Sequence, residues 1–406
     1  MDNNLFFKIG EYTVGEYISF DLSVIDNEIS RLLFTENDFY KEIENEDFSC
    51  GFRTTAKICK KRLEIFGITI QKAEKDFNRV KNNIIEYSNE GENSCPHDHF
   101  YNRKKNSLEK IDYSSYINAI RKIVNENIYD QNKFFSDNYL EALEGNRCFF
   151  HDFNSSSYQE ISYWIYSMLS VVSDDTIISL ECWDFLDSID DDYPIEIKKR
   201  TPIIVLTEGK TDTEFIESSL RLLYPDIAPY YRFIDYDNVK ISGGASYLVH
   251  TVKVLIGTGV VNKTIALFDN DIAGKSEMKT LKDITLPLNM KIAQYPDINI
   301  CNLYPVVSVN GTIHTNVNGI AGSIEMYFGK DVLKNNDNKL YPVYTSKYEH
   351  NNKQYQCAFG DEVKKNVQRE FRNKLKKAES NLNELDFSDM ELILHQIMHI
   401  WDNCED

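Results

Sequence analysis

The chain has 406 residues, too many for one comfortable core, so two or three domains are expected. Hydrophobic residues make up 42% and aromatic residues 13%, with glycine and proline sparse, which excludes a largely disordered chain. A net charge of -19 and a pI near 4.9 exclude a protein that coats nucleic acid by bulk electrostatics, but not a nuclease whose local basic surface meets phosphate.

The eight cysteines are scattered without a CxxC pair and read as reduced thiols in a cytoplasmic protein. Met1-Asp2-Asn3-Asn4 does not begin a signal peptide, and no stretch approaches the length of a membrane span, so no membrane partner is expected.

In chain order, Phe6-Phe7-Lys8-Ile9 and Tyr17-Ile18-Ser19-Phe20 alternate as a small hairpin would. Apolar residues then recur three and four apart from Ala56 to Phe66, with Gly67 as a stop. Further helical patterns cover Gln71 to Tyr87, Tyr113 to Tyr129, Tyr139 to Leu143 and Ser157 to Leu169, so residues 1–197 read as a mostly helical domain. Between Ser88 and Lys110 an exposed loop is expected. Its Cys95, His97 and His99 have ligand-like spacing but no second pair, which makes a zinc site the lesser reading.

An acidic run from Asp184 to Asp192, followed by Pro194 and Lys198-Lys199-Arg200, marks the expected domain boundary. From 198 to 330 the texture becomes strand, turn, helix, strand, which predicts a parallel sheet with covering helices. Residues 331–406 read as a helical C-terminal extension, with a long helix from Glu362 to Lys377 and a last one from Asp389 to Trp401. Lys364, Lys365, Arg369, Arg372, Lys374, Lys376 and Lys377 go around the long helix and read as a solvated face ahead of a nucleic-acid track. His395 and His399 lie one helical turn apart without a Glu after His395, so packing is expected rather than metal binding.

The chemistry concentrates in the middle part. Ile203-Ile204-Val205-Leu206 runs into Glu208-Gly209-Lys210-Thr211-Asp212, and Ile265-Ala266-Leu267-Phe268 runs into Asp269-Asn270-Asp271. Each acidic cluster falls where a buried strand should end, the place where open α/β sheets hold ligands. Carboxylates gathered there repel one another, and a hard divalent cation such as Mg2+ or Mn2+ is the usual compensation. Asp269 and Asp271, at i and i+2, would face one side of an extended segment and share a metal. Gly209 lets backbone approach a phosphate, Thr211 or Asp212 would cap the following helix, and Lys210 would bind phosphate. Gly243-Gly244 is a second glycine turn opening a helix, again suited to phosphate. Gly257 to Thr264 misses a P-loop, because Asn262 stands where glycine is required and Lys263-Thr264 leads into a strand.

A strand-borne EGxxD at Glu208 to Asp212, a central glycine turn and a strand-borne DxD at Asp269 to Asp271 resemble, in this order, a Toprim domain. The wording Leu206-Thr207-Glu208-Gly209-Lys210-Thr211-Asp212 is similar to the OLD-like, phage-defence branch. In that branch a later Glu also holds metal, and Ser323-Ile324-Glu325-Met326-Tyr327 occupies its place, which adds Glu325. The helix from Arg53 to Phe77 and the tail through Gln354, Tyr355 and Glu362 are similar to HEPN/Toprim-associated proteins. Arg147 and His151 stand closer together than the Arg and His of the HEPN motif, so a separate HEPN ribonuclease centre is not expected.

The resemblance implies a Toprim endonuclease of antiphage defence. In a two-metal or a one-metal mechanism, Glu208, Asp269 and Asp271 would hold one ion and Asp212 and Glu325 would hold or orient a second, with Lys210 neutralising the phosphate of a DNA or RNA substrate; Glu208 could instead act as general acid or base. A homo-oligomer and a separate ATPase or other defence-system partner are compatible with it. The rival expectations are a non-cleaving sensor of nucleic acid or of a phage component, and a topoisomerase-like or primase-like enzyme. Primase is the weaker of the last two because its Cys/His zinc module is missing.

Overall fold

A computed structural model of the chain describes residues 5–14, 30–44, 47–92, 112–126, 158–182, 202–236, 243–349 and 354–402. Two compact units emerge, Met1–Arg200 with Trp401–Asp406, and Thr201–Ile400. Among the described residues no helix is long and apolar enough to cross a membrane.

The first unit is built on a five-stranded antiparallel sheet in the order β2-β1-β5-β4-β3. Its strands are β1 (Leu5–Ile9), β2 (Tyr12–Val14), β3 (Phe39–Glu44), β4 (Asp47–Thr55) and β5 (Ile177–Cys182). Helices α1 (Ala56–Glu64), α2 (Ile70–Glu92), α3 (Tyr113–Glu126) and α4 (Tyr158–Leu169) accompany it. Helices hold most of the described elements of the first part, as expected, but the sheet that accompanies them was not expected beyond its first hairpin. Strands β4 and β5 alternate over Phe48-Ser49-Cys50-Gly51-Phe52-Arg53 and Ile178-Ser179-Leu180-Glu181-Cys182, and they pair from Cys50↔Cys182 to Thr55↔Ile177, far along the chain. That pairing needs Gly51, where a Cβ would stand 2.0 Å from the Leu180 carbonyl oxygen.

Strand β1 does turn into a hairpin, with Tyr12–Val14 as its partner; Tyr17 to Phe20 lie outside the described residues. Helix α1 begins at Ala56, where Thr55 caps it by accepting from the Ile58 N–H, and α2 runs on to Glu92 through the start of the expected loop. Cys95, His97, His99, Tyr139 to Leu143, Arg147, His151 and the acidic run from Asp184 lie outside the described residues.

The second unit holds a four-stranded, fully parallel sheet in the order β10-β8-β6-β7. These strands are β6 (Ile203–Leu206), β7 (Tyr231–Phe233), β8 (Thr264–Phe268) and β10 (Met290–Gln294). The connecting helices are α5 (Lys210–Leu223), α6 (Ala245–Thr258) and α7 (Ile272–Lys279). Leu206, Ala266 and Phe268 pack against Leu248, Val249 and Val252 of α6. The alternate residues Val205, Ile265 and Leu267 point the opposite way and are equally buried, as a parallel sheet covered on both faces requires. The chain goes from β6 outward to β7 and then returns to β8 on the other side of β6. This reversal opens a crevice beyond the carboxyl ends of β6 and β8.

The segment after 331 is not only helical. Strands β14 (Val343–Glu349) and β15 (Gln354–Ala358) join β11 (Tyr304–Ser308) and β12 (Gly311–Thr315) in a sheet ordered β12-β11-β14-β15. The two-residue strands β9 (Asn270–Asp271) and β13 (Ala321–Gly322) pair with each other. Helices α8 (Asp361–Asn381) and α9 (Ser388–His399) pack on α5, where Phe215, Phe328 and Phe371 form an aromatic cluster. His395 and His399 are exposed rather than packed inside. They stack on each other, and His395 Nε2 lies 3.2 Å from the Tyr224 hydroxyl.

Lys374, expected in solvent, is buried beneath that cluster. Its ammonium donates to the Phe328 carbonyl at 3.0 Å, to Asp331 Oδ1 at 2.8 Å and to the Asp386 carbonyl. It thereby fixes the end of the helical turn Ile324–Phe328 that carries Glu325. Lys374→Ala leaves two carbonyls without a donor and should cost about 3 kcal/mol in urea unfolding of the full chain. A loss below about 0.5 kcal/mol would show that these bonds are replaced by water at no cost.

Candidate active site

Glu208 follows β6 and Asp269 follows β8, so neighbouring parallel strands deliver both to the crevice. Glycines let them meet. A Cβ on Gly274 would stand 2.5 Å from the Asp269 carbonyl and 3.1 Å from Glu208 Oε1, while one on Gly243 would stand 2.7 Å from the Glu208 carbonyl. Glu208 Oε1 accepts the Asp269 backbone N–H at 2.9 Å. The Gly244 N–H is spent on the Glu208 carbonyl, so this glycine turn braces Glu208.

The helix cap differs from expectation. Helix α5 starts at Lys210 with Gly209 as its cap residue, so Asp212 sits in the first turn and Thr211 is not the cap. Asp212 is buried and accepts the Tyr295 hydroxyl on Oδ1 at 2.7 Å, whereas Lys210 is exposed at the mouth of the helix. Asp271 caps α7: its Oδ1 accepts the Gly274 N–H at 2.7 Å, and its Oδ2 accepts Gln356 Nε2 at 2.8 Å. Glu325 is fully buried and accepts from Ser323 Oγ at 2.7 Å and Gln368 Nε2 at 2.7 Å, with the Lys364 ammonium at 3.3 Å.

Electrostatics bind these five acids into one site. Burial, then the neighbouring carboxylates Asp271 and Asp212, push Glu208 up to about 8, against the pull of the Asp269 N–H. Burial raises Asp212 to about 6, opposed by the Tyr295 hydrogen bond and reinforced by Glu325. Asp269 is held well above the carboxylate range by burial and by Asp212, Glu208, Asp271 and Glu325 together. Burial also raises Asp271, although the Gly274 N–H and Gln356 resist. Lys364 is raised in spite of its desolvation, because Glu325, Asp269 and Asp212 favour its charge.

Among the described residues no three acidic, His or Cys side chains stand together as a ready metal-ligand group. Asp271 also caps α7 through its Oδ1. The donor set nevertheless fits a hard divalent cation. All five candidates are carboxyl groups, and Asp269 Oδ1 is buried without any hydrogen-bond partner.

Tyr295, Gln356 and Gln368 belong to the site and escaped the sequence reading; Lys364, expected on a solvated face, belongs to it as well. Tyr295 carried a usable signal, since it directly follows the parallel strand β10. Lys364 and Gln368 are four apart on α8 and so share a face. Gln356 carried none.

The raised acids set a pH dependence. Glu208 binds its proton more tightly when folded (about 8) than when unfolded (4.5), so the stabilisation is complete below about pH 4 and is lost as pH rises through 8. Without metal, the melting temperature should fall over this range, and Glu208→Gln should flatten the fall and melt several degrees higher at alkaline pH. Parallel melting curves for the two proteins would place Glu208 outside the repelling cluster.

Residues 6–188 match the family described as HEPN/Toprim N-terminal domain 1. No curated protein and no solved structure matches the chain. The N-terminal part is thus similar to that of HEPN/Toprim-associated proteins, in agreement with the resemblance carried by Arg53 to Phe77, and the match ends before the first carboxylate of the site.

Proposed function

We propose that the protein is a metal-dependent nuclease, hydrolysing phosphodiesters of DNA or RNA at the crevice between β6 and β8. The observation that carries this reading is the buried, unpartnered Oδ1 of Asp269 among four other acids that all raise its proton affinity. Such a site gains from a cation what it otherwise takes from protons. The N-terminal match supports a nuclease-related or defence-associated role, and the EGxxD and DxD wording supports the OLD-like Toprim type and antiphage defence.

In this reading Glu208, Asp269 and Asp271 hold one Mg2+ or Mn2+, and Asp212 and Glu325 hold or orient a second. When bound, the metal supplies Lewis-acid polarisation of the phosphate and lowers the pKa of a water. Tyr295 keeps Asp212 in place, and Gln368 and Ser323 do the same for Glu325. Lys364, beside Glu325, and Lys210, at the start of α5, would counter the charge that gathers on the phosphate. No nucleotide-hydrolysing motif accompanies the site, so control by ATP would need a separate partner.

A second reading has one observation in its favour. Each acid except Asp269 already has a good protein partner, as a non-cleaving sensor of nucleic acid or of a phage component would allow.

Cleavage assays separate the two. Wild type should cut with Mg2+ or Mn2+ and stop in excess EDTA, while Asp269→Ala should lose at least about a thousandfold in rate, since a metal ligand acts only through the whole site. His151→Ala should cut like wild type. Cleavage that survives Asp269→Ala but not His151→Ala would move the catalytic centre to the N-terminal part.

A further inference from the structure

A cleft beside the carboxylates remains unused by this mechanism. Helix α7 follows its cap Asp271, and along it and the turn that follows stand Lys275, Lys279 and Lys282, spaced four and three apart on one face. This face walls a cavity of about 560 Å³ whose apolar floor includes Leu281, Leu286 and Ile292. The size falls within the roughly 300–1,000 Å³ of small-ligand sites, room for a nucleotide but not for a duplex. In a chain of net charge -19, residues 275–282 hold three lysines against the single acid Glu277.

The cleft is joined to the site through its opposite wall. Gln294 lines it and donates from Nε2 to the Asp269 carbonyl at 2.8 Å. Gln354 also lines it, two places along β15 from Gln356, the partner of Asp271. Lys275 lies across Gly319, its ammonium 1.7 Å from where a Cβ would stand, and the φ of +75° at Gly319 favours glycine. The charge of Lys275 is close enough to Asp271 to oppose the upward shift of its carboxyl.

We propose that this cleft is the strand-holding subsite, taking one unstacked nucleotide of single-stranded DNA or RNA next to the bond that is cut. The lysines bind the phosphates on either side, and the base lies on the floor of Leu281, Leu286 and Ile292. A single strand fits because a base must leave its stack to reach an apolar floor, and the rim is cationic where the backbone would run. The inference rests on the reading of the carboxylates as a nuclease site, and binding can be measured apart from cleavage.

The test is fluorescence anisotropy of the full chain in EDTA with a labelled single-stranded oligonucleotide, as DNA in one arm and RNA in another. At least one should bind. Lys275→Ala/Lys282→Ala should weaken it about tenfold and lower the slope of log affinity against log salt by about 1.4, near 0.7 for each phosphate that is no longer neutralised. Leu286→Asp should weaken binding at high salt as well as low, because it takes away the apolar floor under the base and not a cation. Lys339→Ala, an exposed lysine elsewhere on the unit, should change neither quantity. Thermal melts show whether each variant is folded.

Unchanged binding in both cleft variants overturns the proposal, as does a duplex or a mononucleotide bound as tightly as the strand, or no binding at all. Cleavage distinguishes the two levels. If wild type and the lysine variant cut equally with Mg2+, the cleft falls and the carboxylate site stands. If the strand binds through the cleft but no metal supports cutting, the cleft stands and the nuclease reading falls.

Discussion

The second unit is organised around carboxylates placed in a poorly solvated crevice, close enough to feel one another. Asp269 reports this most directly, since burial and four neighbouring acids all raise its proton affinity. Such an arrangement lowers stability when ionised, and a fold keeps it only if something else holds the acids in place. Here the holding is done by backbone N–H groups at helix starts, two glutamines, a serine and a buried tyrosine. Glycines at 243 and 274 remove the side-chain bulk that would otherwise separate the strand ends.

This constraint explains why the residues after 331 fold with the parallel sheet. Glu325 is fully buried and needs donors, which arrive from Gln368 and Lys364 on α8, while β15 brings Gln356 to Asp271. Lys374 then anchors the far end of the Glu325 turn under the Phe215, Phe328 and Phe371 cluster. A helix that looked like a solvated cationic rod thus contributes positive charge to an acidic site on one face and a structural ammonium on another. Its exposed Arg372 is also committed, through a two-pronged bond to Glu214 of α5.

The two units differ in how legible they were. The parallel strands announce themselves as short apolar runs, because both faces are covered and burial leaves no room for polar alternation. Strands β4 and β5 of the first unit carry no such mark. Arg53 bonds Glu42 across the sheet, Ser179 bonds Glu181, and Gly51 is there only for the approach of Leu180. The last of these requirements is set by a partner distant in sequence. The same holds for β14 and β15, whose polar residues are partnered by each other and by the site.

By itself the sequence determined the parallel sheet, the placement of acids at the ends of β6 and β8, and the glycines among them, because strand burial and turn geometry are written in adjacent residues. It also determined that Lys263-Thr264 enters a strand, which removes a P-loop. Tertiary structure alone decided what each acid touches: Tyr295 for Asp212, Gln356 for Asp271, Gln368 and Lys364 for Glu325, and nothing for Asp269 Oδ1. The reason is physical. Proton affinity and metal competence depend on desolvation and on groups a few ångströms away, and those neighbours come from distant segments, 85 residues apart in the case of Asp271 and Gln356.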